Sequence, residues 1–180
     1  QELVTFARGD IPFTAVLLID ASGSMYGDKI RGATAGAAAF IQDMKELDQA
    51  QVMIFSDQLL ARTPSTTAKE VLAAGLGGTE ARGGTALQDH LFMALQLLEQ
   101  RQGRRVVILL SDGIDTHSVI DAEQMFETAR TSNALIYWIR FARDMANPFD
   151  DRSVTMTSAW RSSEEYTRQI ERLVQAVRES

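Results

Sequence analysis

The sequence predicts an α/β fold: a three-layer, Rossmann-like arrangement of a mostly parallel sheet with one short antiparallel edge strand and helices on both faces. Three observations predict it. Two runs, residues 13–19 and 106–110, are apolar at nearly every position, as strands covered on both faces must be. Several other segments repeat apolar residues at helical spacing. Strand and helix signals alternate along the chain, which is the pattern of β-α-β units.

The elements follow in order. The first strand is residues 13–19. A helix is expected over 29–47, with Ile30, Ala33, Ala37, Ile41, Met44 and Leu47 on one stripe and an Ala-rich centre suited to close packing on a sheet. Residues 51–55 read as the second strand, 56–58 as a turn and 59–63 as the antiparallel edge strand. Thr66 or Thr67 is placed to cap a helix through Leu72, and the Gly-rich stretch 75–84 must be a loop. The next helix, 86–99, aligns Leu87, Leu91, Leu95 and Leu98. Then come a strand at 105–110, a helix at 121–130, a strand at 134–141, an irregular polar segment at 144–158 and a helix at 163–178 that turns Tyr166, Ile170, Leu173, Val174 and Val177 inward.

Composition bounds the function. A length of 180 residues, 45% hydrophobic and 23% charged, suits one globular domain with a full core. Twenty-four acidic against 18 basic residues give a net charge of −6, which argues against nucleic acid, whose phosphates want a basic stripe. An acidic protein ligand is compatible with that charge, because a bound cation sets the local field. No apolar run is long enough to span a membrane, so no membrane insertion by this chain is expected. The absence of cysteine removes disulfides, thiol chemistry and zinc–thiolate sites.

The residues with chemistry sit where strands end. Asp20, Ser22 and Ser24 follow the first strand at i, i+2, i+4 spacing on a tight turn, so that three short oxygen side chains converge. A hard cation such as Mg2+ needs oxygen ligands and vacancies for water or a partner. Neutral hydroxyls hold such an ion without quenching its charge. Thr85, after Gly83 and Gly84 at the start of a helix, can add a hydroxyl, and Asp112, after Ser111 at the end of the next apolar strand, a second carboxylate. A second Gly-Gly-Thr triplet ends at Thr79, but that residue lies in mid-loop. Asp and Ser in a turn also cap helices, and the three motifs together, each at the end of its element, separate a cation site from a cap.

The order strand–DxSxS, Gly-Gly-Thr–helix, strand–Ser-Asp-Gly resembles the metal-ion-dependent adhesion site of von Willebrand factor A-type (VWFA) domains, over residues 11–141. The pair Asp115-Thr116 after Ser-Asp-Gly is similar to the bacterial VWFA-related family described from Acidobacteria. The resemblance implies a single domain over 1–180 that stops before a last strand and helix. It implies direct coordination of Mg2+, or of Mn2+ or Ca2+, by Ser22, Ser24 and Thr85, with Asp20 and Asp112 bound directly or through water. An Asp or Glu of a partner protein would complete the shell. The activity so implied is adhesion-type binding and not catalysis. Such proteins usually carry an export signal, so a secreted or extracytoplasmic place is expected although this chain, which begins at Gln1, shows no signal peptide.

Two other readings stay open. One is a Mg2+-dependent hydrolase or phosphotransferase with Asp20 as nucleophile. Such a site wants a second acid two residues on, where Ser22 stands, and a nearby lysine, whereas Lys29, Lys45 and Lys69 are expected outside the later loops. The other is a structural module of an exported assembly. Asp28 and Asp115 are expected at helix caps or in solvent, His117 at the rim of the site, His90 as half-buried structure, and Arg31 and Arg82 as surface arginines.

Overall fold

The computed structural model describes residues 11–141 and 163–180. Among the described residues the strands and α-helices follow one another as β1 (Phe13–Asp20), α1 (Asp28–Asp43), β2 (Gln49–Phe55), β3 (Leu59–Arg62), α2 (Lys69–Ala74), α3 (Leu87–Glu99), β4 (Arg104–Ser111), α4 (Ala122–Thr131), β5 (Leu135–Arg140) and α5 (Ser163–Glu179). The sheet has the order β3-β2-β1-β4-β5. β1 pairs in parallel with both β2 and β4, and β4 with β5, while β3 runs antiparallel to β2. This is the predicted α/β sheet with its single antiparallel edge.

Alternation along β1 explains the two cores. Val16 and Leu18 face one side with Phe55, Val107 and Leu109, and there meet Leu87, Leu91 and Leu95 of α3, Phe126 of α4 and Leu173 of α5. Ala15, Leu17 and Ile19 face the other with Val52, Ile54 and Ile108, and meet Ile30, Ala33, Ala37 and Ile41 of α1 and Leu72 of α2. A strand with no polar face must be covered twice, and it is. Small residues let α1 come close: Ala33 and Ala37 are buried against the sheet.

Several expected boundaries move. α1 stops at Asp43, four residues short of the predicted end, and Leu47 is 71% exposed instead of inward. The cause is Asp48, whose carboxylate accepts the Lys45 N–H at 2.8 Å and the Phe13 N–H at 3.3 Å. That local turn competes with the helix for the backbone donors. Thr66 starts no helix directly. Its backbone exchanges hydrogen bonds with Ala50 at 2.9 and 3.0 Å, and α2 begins three residues later. The predicted irregular segment at 144–158 and the inward Tyr166 lie outside the described residues and side chains.

β1 is the point of reversal in this sheet, because the chain leaves it for β2 on one side and later returns as β4 on the other. Adjacent loops part there and open a crevice at the carboxyl ends of the strands. Both carboxylates singled out in the sequence sit at that crevice.

Candidate functional site

β1 delivers Asp20 to the end of the sheet, fully buried. The chain then turns sharply. Ser22 N–H donates to Asp20 Oδ1 at 2.8 Å, and a short 3-10 turn covers Gly23–Met25. Met25 anchors this turn by burying itself in the core under α1. The turn leaves the hydroxyls of Ser22 and Ser24 3.2 Å apart, within hydrogen-bonding distance of each other.

β4 delivers the second carboxylate. Asp112 is buried, and its Oδ1 accepts the Ile114 N–H at 3.3 Å. Gly113 follows with φ +85°, where any Cβ would also run into the Trp138 ring. Only glycine suits both demands. Ser111 faces inward beside Asp112 and donates to Asp20 Oδ2 at 2.6 Å. It also accepts the Gly113 N–H at 2.9 Å, so one hydroxyl ties the two strand ends together.

The Gly-rich loop is clamped from two sides. Arg82 N–H donates to Ala21 O at 2.8 Å and Gly23 N–H to Gly83 O at 3.0 Å, which ties it to the Asp20 turn. Thr85 is buried, and its N–H donates to Thr116 Oγ1 at 3.0 Å while its carbonyl accepts the Thr116 and His117 N–H groups, both at 2.8 Å. Asp115 accepts the Gln88 N–H at 2.8 Å and so caps the first turn of α3. The Asp115-Thr116 pair therefore holds the Thr85 loop to the end of β4. Thr79 lies apart, its hydroxyl bonded to Leu76 O at 2.9 Å.

The other candidates take structural places. Asp28 is exposed and paired with Arg31, and Arg82 is exposed. His117 lies at the rim over Gly84, with Nδ1 2.7 Å from Thr116 Oγ1. His90 is more buried than expected, stacked on Phe55 with centroids 4.8 Å apart and Nδ1 donating to Ala86 O at 2.6 Å.

Sequence reasoning missed two members of the site. Ser111 enters the sequence reading only as the first residue of the strand-ending Ser-Asp-Gly motif. Its place follows from the sheet register, in which Ile19 pairs with Leu110 and hence Asp20 comes opposite Ser111. Lys29 lies outside the later loops, as expected, but its side chain reaches the site from the first turn of α1. Its ammonium donates to Ser24 O at 2.8 Å and lies 3.5 Å from Asp112 Oδ2. The signal was available, since a side chain in the first turn of a helix leans back towards the preceding loop.

Burial dominates the electrostatics. It pushes the Asp20 carboxyl up from 3.8 to about 7. The hydrogen bonds from Ser111 and Ser22 pull against that shift, and the negative charge of Asp112 adds to it. Two buried acids sharing one crevice favour a positive charge between them. The donors there are carboxylates, hydroxyls and carbonyls, the set that hard divalent cations take. Among the described residues no group of three or more His, Asp or Glu is gathered.

The fold agrees with comparison to known proteins. The chain is 31% identical over 119 residues to inter-alpha-trypsin inhibitor heavy chain H4 of Bos taurus, and 34% identical over 119 residues to that of Homo sapiens. Each match takes 59% of this chain and 13% of the relative, so the chain spans about an eighth of the length of these curated relatives. Among solved structures, the pilus adhesin SpaC of Lactobacillus rhamnosus GG superposes with a TM-score of 0.61 at 14% identity, over 77% of this chain and 26% of that one. The von Willebrand factor type A structure from Catenulispora acidiphila gives 0.57 at 22% identity, over 71% and 32%. The von Willebrand domain of the type V pili tip protein Mfa5 from Porphyromonas gingivalis gives 0.52 at 23%, over 59% and 39%. At these identities the structures show a common fold. The sequence profile of the von Willebrand factor type A domain matches residues 15–114, more than half of the chain, and the chain belongs to that family.

Proposed function

We propose that this domain binds another protein through a divalent cation held by Asp20, Ser22, Ser24, Thr85 and Asp112. One observation carries the reading: two buried carboxylates and a pair of adjacent hydroxyls meet where β1 and β4 end, with Ser24 half-buried at their outer side. Mg2+ is the expected ion, and Mn2+ and Ca2+ satisfy the same donors. Both oxygens of Asp20 already accept hydrogen bonds, so that residue suits contact through water, while the hydroxyls suit direct contact. The ion would supply an electrophilic point for an Asp or Glu side chain of the partner.

The adhesion-type role draws support from relatives, since SpaC is described as a pilus adhesin and Mfa5 as a pili tip protein. A secreted or extracytoplasmic place follows the same reasoning. Among the described residues no helix is long and apolar enough to cross a membrane. The Ser111-Asp112-Gly113 motif followed by Asp115-Thr116 supports a place in the bacterial branch described from Acidobacteria.

The experiment is an array of short peptides, each bearing one Asp or Glu beside an amide twin, read by surface plasmon resonance with Mg2+ or EDTA. Binding should need both the ion and the carboxylate. Binding indifferent to both would place the partner surface elsewhere on the domain.

One observation favours a second reading. Lys29 beside Asp112 supplies the lysine that a Mg2+-dependent phosphotransferase wants. Ser22 still stands where that chemistry wants its second acid. Release of phosphate from aryl phosphates, lost in Asp20→Asn, would promote the enzyme, and no turnover is expected.

A further inference from the structure

Lys29 contacts two groups of the site, one on the turn after β1 and one at the end of β4. It lies in the first turn of α1, and its ammonium reaches back to Ser24 O at 2.8 Å and to Asp112 Oδ2 at 3.5 Å. The Asp112 side chain is 1% exposed and that of Lys29 is 23% exposed. The carboxylate is therefore fixed and dry, whereas the ammonium sits on a flexible stem with a way out to water. Its two contacts are a carboxylate and the backbone of a hydroxyl-bearing residue, both belonging to the cation site proposed above.

We propose that Lys29 is a tethered counter-ion, which neutralises Asp112 in the cation-free domain and which a divalent cation must displace. The inference rests on the cation reading of this crevice. A positive charge on the protein and a doubly charged ion within a few ångströms of one carboxylate repel each other. Binding of the ion thus includes breaking the Lys29–Asp112 pair and releasing Ser24 O. The domain gains a stable cation-free state and loses cation affinity in return, so Lys29 sets the cation concentration at which the site loads. It is a positioning residue and contacts neither ion nor partner in the loaded state.

The test titrates Mn2+ alone into EDTA-stripped and dialysed protein, following the loss of the free-ion electron paramagnetic resonance signal. Wild type is compared with Lys29→Met, Lys29→Gln and Lys29→Arg. The two neutral variants should bind about tenfold tighter, a change of about 1.4 kcal/mol. The arginine variant, which keeps the charge, should stay near wild type. In EDTA the neutral variants should unfold at lower urea than wild type. Affinity in both neutral variants within threefold of wild type, or weaker, would overturn the tethered counter-ion. So would an arginine variant that binds as tightly as the methionine one, because packing and not charge would then be responsible. Failure of Mn2+ to bind any of the proteins is a different result: it removes the cation reading itself and the inference with it.

Discussion

Ser111 Oγ donates to Asp20 Oδ2 at 2.6 Å across 91 positions of sequence, and this bond couples the ends of β1 and β4 in the interior of the molecule. A charge-assisted hydrogen bond in such a place is worth more than a neutral one. Ser111→Ala should destabilise the cation-free domain by about 2 kcal/mol, with the larger loss at a pH where Asp20 is ionised. Urea unfolding at pH 5 and pH 8.5 measures both numbers.

Asp20 makes the cation-free domain sensitive to pH. Its folded pKa, about 7, lies above the unfolded value of 3.8, so folding favours the protonated acid. The associated stability is present in full below the unfolded value and is lost as pH rises through about 7. The loss is on the order of 4 kcal/mol from end to end. In EDTA the melting temperature should fall between pH 5 and pH 8, and Asp20→Asn should flatten that fall. A wild-type melting temperature independent of pH over this range would contradict the account.

Gly113 should tolerate no side chain. Its φ of +85° strains any other residue, and a Cβ would press into the Trp138 ring. Gly113→Ala combines a left-handed backbone penalty with overpacking, together about 2–4 kcal/mol. Equilibrium unfolding checks the loss, and a change under 1 kcal/mol would show that the turn can be rebuilt at little cost.

The clamp on Thr85 separates positioning from stability. Thr116→Val keeps the shape but removes the hydroxyl that accepts the Thr85 N–H at 3.0 Å. The cost to folding should be about 1 kcal/mol. Mg2+ affinity, measured by isothermal titration, should fall severalfold as the loop loosens, while Leu91→Ala, in the core away from the loops, should cost about 2–5 kcal/mol of stability with affinity unchanged.

The fold was legible in the sequence because its signals are local and redundant. Residues 13–19 are apolar on both faces, and the leucine stripe of α3 has one orientation that buries it. The end of α1 was not legible, because it depends on Asp48 choosing the Lys45 and Phe13 donors, a competition that helical periodicity does not register. In the site, Asp20, Ser22 and Ser24 announce themselves by spacing. Ser111 requires the register of β1 against β4, and Lys29 requires the path of a long side chain back over a loop. Both are tertiary facts about residue types that are common on any surface.

The most direct measurement of the central claim is calorimetric melting with Mg2+ and with EDTA. An ion that binds only the folded domain stabilises it by about 2.7 kcal/mol at 100 times its dissociation constant. Wild type should show that shift, Thr85→Ala a smaller one, and Asp20→Ala and Asp112→Ala none. Equal shifts in wild type and both aspartate variants, or no shift in wild type at millimolar Mg2+, Mn2+ and Ca2+, would contradict it.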